Sequence, residues 1–267
     1  MLENWIKPQI PEEEELEERL HAARSKLSVL QMQIKEHGLP VLVLFEGWGT
    51  AGKGSVLGKV IKNIDPRFFK VATMDEPTEE ERRKPFLYRY FVKIPAKGKL
   101  EFLDSGWMDE VVKDVLHDNI GEKEYKKKIE SVKRFERQLT DNGYLVMKFF
   151  FQISRKEQKK RIEVLKENKD TRWRVSGDED WQNKHYDKCM HVFDRYLNDT
   201  NSPADPWYIV DAKNRKWAEL QVLETLVSGI ETALKNSNLA VPLLQNVFPL
   251  EKIPKLSEIS LDKELSE

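Results

Sequence analysis

Lys53 sits in the one stretch whose residue types and spacing could hold a phosphate, Gly47-Trp48-Gly49-Thr50-Ala51-Gly52-Lys53-Gly54-Ser55. Glycines let backbone N–H groups converge on an anion without side-chain obstruction. A lysine adds a mobile point charge that reaches the outer phosphates. The spacing Gly47-x4-Gly52-Lys53 is that of a phosphate-binding P-loop, with the hydroxyl one residue late, at Ser55, because Gly54 intervenes. We assign Gly47, Gly49, Gly52, Gly54 and Ser55 to phosphate binding and Lys53 to catalysis. Asp104 closes the apolar run Leu100 to Leu103, and a carboxylate at the tip of a strand beside a P-loop is where such folds hold Mg²⁺. Ser55 and Asp104 are therefore the expected metal ligands. A basic run follows, with Arg155, Lys156, Lys159, Lys160, Arg161 and Lys166, then Lys169, Arg172 and Arg174. Lys159, Lys160, Arg172 and Arg174 are candidates to clamp phosphate from a lid; the plainer reading is a solvated helix face.

The flanking sequence must position these groups. Val41 to Phe45 is a short apolar run bounded by Pro40 and the glycines, which predicts a buried strand. Val56 to Ile61 has helical spacing, so the loop lies between strand and helix, where the helix N-terminus adds unpaired N–H groups and partial positive charge. Before it, Leu16, Leu20, Ala23, Leu27, Leu30 and Ile34 predict an amphipathic helix over residues 12–35. After it, strands are expected at 70–74, 100–104, 144–153 and 207–210. Thr78 with Glu81, and Ser154 with Glu157, read as capping boxes opening helices. The first of these helices would run to Tyr90, kinked or restarted at Pro85. Further helices are expected at 107–117, 122–141, 178–198 and 218–234. Strands alternating with helices require a parallel sheet with crossovers. The fold class is α/β: a doubly wound parallel-sheet P-loop kinase fold with an added N-terminal helix and a helical lid. An arm at 1–11, a domain at 12–235 with its lid at about 155–182, and a tail at 236–267 complete the division.

Composition sets the outer limits. The chain of 267 residues has 45 Lys+Arg against 46 Asp+Glu, which argues against a strongly basic nucleic-acid binder. Its one cysteine, Cys189, forbids an internal disulfide, suits a reducing compartment and reads as a small core residue. The five histidines lack metal-ligand spacing. No apolar run reaches the about 20 residues of a membrane helix, and the acidic N-terminus is unlike a signal peptide. The expectation is a cytoplasmic protein with neither nucleic acid nor membrane as partner.

Several short motifs together resemble the polyphosphate kinase type 2 family over roughly residues 12–235. They are FEG before the loop, AGKG within it, Asp65-Pro66-Arg67, PTEEE followed by Arg89-Tyr90, and Pro95-Ala96-x-Gly98. Asp104 with Trp107, FERQL at Phe135 to Leu139, KFFFQIS with Gln158 and Arg161, and Asp205-Pro206-Trp207 complete the set. The resemblance implies phosphoryl transfer between inorganic polyphosphate and a nucleotide (AMP or ADP, and ATP), with Mg²⁺. It adds Arg161 to the catalytic residues and Arg89 to the phosphate-binding ones. It also exposes departures. Gly49 stands where the family commonly has an aspartate, and Ser105-Gly106-Trp107-Met108-Asp109-Glu110 replaces Arg-Ser-Trp-Tyr-Asn-Arg. The chain resembles the similarly altered N-terminal copy in two-domain polyphosphate:AMP phosphotransferases, and the tail resembles a lead-in to a second copy. A homo-oligomer, or pairing with a second copy, is the implied assembly. A degenerate domain that binds polyphosphate or nucleotide without turnover is the alternative, and an ordinary ATP-dependent nucleotide kinase is a weaker third.

Overall fold

The structure, a computed structural model, describes residues 1–236. The expectations for the tail lie outside the described residues. Five strands form one wholly parallel sheet: β1 (Val41–Gly47), β2 (Phe69–Thr73), β3 (Leu100–Asp104), β4 (Leu145–Gln152) and β5 (Trp207–Asp211). Their order across the sheet is β2-β3-β1-β4-β5, which places β1 at the centre. Its residues Val41 to Phe45 are all but completely buried, as a strand covered on both faces must be.

Helices cover both faces. Val41, Val43 and Phe45 point to one face, where α1 (Glu13–Glu36), α2 (Lys53–Ile61) and α10 (Arg215–Asn236) pack. Leu42 and Leu44 point to the other, covered by the one-turn helix α4 (Tyr88–Phe91), α5 (Trp107–Leu116) and α6 (Glu122–Asp141), with α9 (Tyr186–Thr200) packed beside α5 and α6, its Phe193 on Phe150 of β4. The added helix α1 lies along α10, held by Leu16, Leu20, Leu27 and Ile34 and by the Arg24–Glu219 pair at 2.9 Å. Cys189 is fully buried, and burial pushes its thiol up to about 11. Among the described residues no helix is long and apolar enough to cross a membrane.

One local expectation holds with shorter helices, and two need correction. The segment after Thr78 makes its capping box but then breaks into two single turns, α3 (Glu79–Arg82) and α4, restarted at Pro85. The helix expected at 178–198 is two, α8 (Gly177–Lys184) and α9, interrupted at His185, whose φ −106° and ψ 32° are not helical. Ser154 does cap α7 (Arg155–Glu167), but the return bond from Glu157 is not made; that carboxylate accepts from Arg161 Nε at 2.8 Å instead. The arm at 1–11 is docked: Leu2 is buried, and Lys7 lies 3.2 Å from Asp211.

The family-like motifs away from the loop build a buried ionic network. Lys148, in the middle of β4, has no exposed surface; its ammonium donates to Glu136 at 2.9 Å and to the Thr200 carbonyl at 3.0 Å, and lies 3.3 Å from Asp205. Glu136 also accepts from Trp107 Nε1 at 2.9 Å, and Trp207 Nε1 donates to Thr200 Oγ1 at 2.9 Å. One cation facing two carboxylates leaves a charge over, and burial, opposed by Lys148 and reinforced by Asp205, pushes Glu136 up to about 8. The network ties α5, α6, β4 and the turn before β5 into one frame.

Candidate active site

The P-loop runs from the C-terminal end of β1 into α2. Gly47 has φ 123°, and a Cβ there would lie 2.5 Å from the Phe151 carbonyl oxygen, so only glycine lets β1 turn off beside β4. Trp48 then dives into the core. Its indole stacks on Tyr186 at 4.0 Å, meets Phe193 edge-on at 4.8 Å, and donates to Gln152 Oε1 at 2.7 Å. The loop is thereby bolted to β4 and α9. Gly52 takes φ 94°, and α2 starts at Lys53. The Lys53 ammonium arches back over the loop to the carbonyls of Gly47 and Trp48, each at 3.4 Å. Those contacts are long and easily exchanged for a ligand oxygen.

Asp104 arrives by strand register. β3 lies beside β1, and Asp104 is paired with Phe45, two residues before Gly47. Its carboxylate faces the first turn of α2 so closely that a Cβ on Gly54 would sit 3.1 Å from Oδ2. That approach explains the delayed hydroxyl: a side chain at 54 would crowd the carboxylate, so Ser55 carries it, exposed one residue on. Burial raises the Asp104 pKa, Lys53 lowers it, and Asp109 raises it further.

Glu46, which the sequence reading quoted only inside FEG, sets the Asp104 turn. Its Oε1 accepts from the N–H groups of Gly106 at 2.8 Å and Met108 at 3.2 Å, capping α5. Gly106 has no room for a side chain beside it, since a Cβ would lie 2.8 Å from Oε1. Burial and Asp109, against Lys53 and the two backbone bonds, push Glu46 up to about 8. The signal in the sequence was a lone carboxylate ending an apolar strand.

Arg161 lies behind the loop. Nη1 donates to the carbonyls of Thr50 at 3.3 Å and Ala51 at 2.8 Å, Nη2 to Ala212 at 2.8 Å and Lys213 at 2.9 Å, and Nε to Glu157. All five donors of a guanidinium are thus committed to protein atoms. In this structure Arg161 holds the carbonyls of Thr50 and Ala51 in the loop.

The remaining candidates fall in three places. Arg89 is buried and donates to the Asp75 carbonyl, 4.0 Å from Glu110. It lines a cleft of 670 Å³ at the C-terminal ends of β2 and β3. The carboxylates of Asp75, Glu76, Asp109, Glu110, Asp114 and Asp178 line the same cleft, against three cations, Arg82, Arg89 and Lys113. Lys159 and Lys160 are exposed on α7, and Arg172 and Arg174 on the short 3-10 turn Arg172–Arg174. Gly49 is met by α8. Its N–H donates to Gln182 Oε1 of α8 at 3.0 Å, and a Cβ on it would lie 2.6 Å from Glu179 Cγ. Gly49 does not have a positive φ, so what excludes a side chain there is this neighbour.

A Mg²⁺ ion fits the donors present. It keeps most of its waters and needs one or two carboxylates plus phosphate oxygens; the Asp104 carboxylate lies against Gly54, and the Ser55 hydroxyl is exposed one residue on. No denser metal cluster exists among the described residues.

A sheet in the order 2-3-1-4-5 with a P-loop after its central strand narrows the fold but not the family. The family model for polyphosphate kinase 2 matches residues 11–238. The chain belongs to the polyphosphate kinase 2 family. A polyphosphate:AMP phosphotransferase of Pseudomonas aeruginosa is 30% identical over 213 residues, covering 79% of this chain and 43% of that protein. A GDP-polyphosphate phosphotransferase of Mycobacterium tuberculosis is 28% identical, covering 76% of this chain and 69% of that protein. The crystal structure of polyphosphate kinase 2 from Arthrobacter aurescens TC1 superposes with a TM-score of 0.77 at 25% identity, covering 80% of this chain and 77% of that one. The chain thus spans less than half the length of the first of these relatives.

Proposed function

We propose that this chain transfers a phosphoryl group between inorganic polyphosphate and a nucleoside mono- or diphosphate, with Mg²⁺. The observation that carries the reading is the meeting of Lys53 and Asp104 at the first turn of α2, on a loop held from behind by Arg161. Such transfers rest almost wholly on positioning and on neutralising charge over the phosphoryl oxygens. Lys53 supplies a cation to those oxygens, and the loop's N–H groups and the α2 N-terminus hold the anion. Asp104, with Ser55, would hold Mg²⁺, which when bound neutralises charge between adjacent phosphates. Arg161 positions, and Glu46 fixes the turn that presents Asp104. Polyphosphate and nucleotide are the proposed partners, in a cytoplasmic setting, with a like domain as the proposed assembly partner.

One observation favours a second reading, binding without turnover. The cleft at the C-terminal ends of β2 and β3 carries six carboxylates against three cations, and Asp109 and Glu110 stand where the resemblance places asparagine and arginine. Negative lining opposes a second polyanion at the reacting end. The assay that decides mixes purified protein, Mg²⁺ and polyphosphate with AMP or ADP in turn. The expected outcome is Mg²⁺-dependent nucleotide phosphorylation that Lys53→Ala abolishes and that is lost in Asp104→Asn. Tight binding of polyphosphate with no product from any nucleotide selects the second reading.

A further inference from the structure

We propose that helix α8 plugs the phosphate-binding loop through Gln182, and that an anion entering the loop must displace this side chain. The inference rests on the reading of Gly47 to Ser55 as a phosphate site. The Gly49 N–H belongs to the outer lip of that loop, and Gln182 Oε1 accepts it at 3.0 Å. The same oxygen accepts from Gln158 Nε2 at 3.3 Å, and Gln158 Nε2 also donates to the Gly49 carbonyl at 3.3 Å. Gln158 is fully buried, and its own Oε1 accepts from Asn183 at 3.1 Å. A chain of amides therefore latches α8 to α7 and both to the loop.

The choice of an amide matters. A carboxamide oxygen offers the lone pairs a phosphate oxygen would offer, without its charge. It keeps a half-buried N–H satisfied, which otherwise would cost about 1–3 kcal/mol, yet it yields to a charged acceptor, whose hydrogen bonds are roughly twice as strong. Helix α8 is also built to leave. It has eight residues between two breaks, the irregular stretch after α7 and the non-helical His185. Beyond the amide chain it is tied by the half-buried Trp181, which packs on His117 at 4.9 Å, and by hydrogen bonds between Arg155 and the Lys184 carbonyl and between Asn183 and the Arg155 carbonyl. The surface ion pairs Lys166–Asp180 and, at 4.0 Å, Lys113–Asp178 add ties of the weak kind.

A plug lowers the apparent affinity by the fraction of molecules in which it is seated. Removing it must therefore tighten binding, the reverse of what removing a ligand-contacting residue does. The test is calorimetry with inorganic tripolyphosphate at fixed ionic strength on wild type, Gln182→Ala, Gln182→Glu and Lys53→Ala, each checked for fold by circular dichroism. Gln182→Ala is expected to bind about two- to tenfold tighter, the net worth of one neutral hydrogen bond. Gln182→Glu is expected to bind more weakly, since a carboxylate holds the N–H and repels the anion. Hydrogen exchange over residues 177–184 of the wild type is expected to quicken on adding tripolyphosphate. If Gln182→Ala binds equally or more weakly while Lys53→Ala loses binding, the plug is overturned and the phosphate site stands. If Lys53→Ala binds like the wild type, or no variant binds, the phosphate site falls and the plug with it.

Discussion

Replacing Arg161 by lysine separates a positioning role from a chemical one. The guanidinium makes five hydrogen bonds, four of them to carbonyls on two loops, Thr50–Ala51 and Ala212–Lys213. An ammonium has three donors and no planar fork, so it serves one carbonyl pair or the other. At least two bonds to a charged donor are lost, at about 1.5–3 kcal/mol each. Some of the abandoned carbonyls recover water, so the expected loss is about 2–4 kcal/mol, or roughly 5–15 °C in Tm for a domain of this size. Urea unfolding of Arg161→Lys gives the first number, and steady-state kinetics the second. Positioning predicts a clear loss of stability and a rise in KM for polyphosphate or nucleotide together with a partial fall in kcat. Stability within about 0.5 kcal/mol of wild type, with kcat down by about 10³ or more, would show that Arg161 touches the transferring group and that its assignment to the loop's back is wrong.

Two further outcomes follow from the charges. Glu46 and Glu136 hold protons in the folded protein up to about pH 8, and lose them near pH 4.5 when unfolded. Their contribution to stability is fully present below the unfolded value and is lost as pH rises through the folded one, with a slope of up to about 1.4 kcal/mol per pH unit for each group. Urea midpoints should fall between pH 6 and pH 8, and Glu136→Gln should flatten that fall; an unchanged slope in the variant would remove the buried proton from the Lys148 network. Gly49→Asp meets Glu179 Cγ rather than a forbidden backbone angle, so Gly49→Asp alone should lower Tm and the pair Gly49→Asp/Glu179→Ala should recover it. A pair no more stable than Gly49→Asp, in melting curves, would place the obstruction elsewhere.

The sheet and the loop were legible in the sequence because each carries a strong local signal. The apolar run Val41 to Phe45 ahead of clustered glycines, and Leu100 to Asp104, were placed to within a residue or two. The α-helical breaks were harder. Pro85 announced one, but nothing in the run around His185 distinguishes two helices from one, and no glycine or proline marks the break there. The site was half legible. Lys53 and Asp104 follow from local pattern, since a strand-end carboxylate and a loop lysine meet by register alone. The contacts of Arg161 were not legible because they lie about 50 and 110 residues away in sequence, and side-chain donors do not announce which oxygens they find. Gln182 was invisible for the same reason, and Gln158 was legible only as part of a motif. Lys148 within Val146 to Phe151 reads as an interruption of an apolar strand until Glu136 and Asp205 close on it from the far side of the fold.

The position of β1 has a bearing on how the molecule comes into being. The central strand precedes both of its neighbours in the chain, and its register partner in β4 stands roughly a hundred residues downstream, so its pairings are among the most distant in sequence that the sheet contains. A ribosome making this protein from the N-terminus releases the phosphate loop long before there is anything to shape it. The wall against which Gly47 turns is Phe151, and the slot that takes the Trp48 indole is completed by Tyr186 and Phe193. The loop therefore acquires its binding geometry only after β4 and α9 have been synthesised, and the nascent chain cannot capture a phosphate until most of the domain exists.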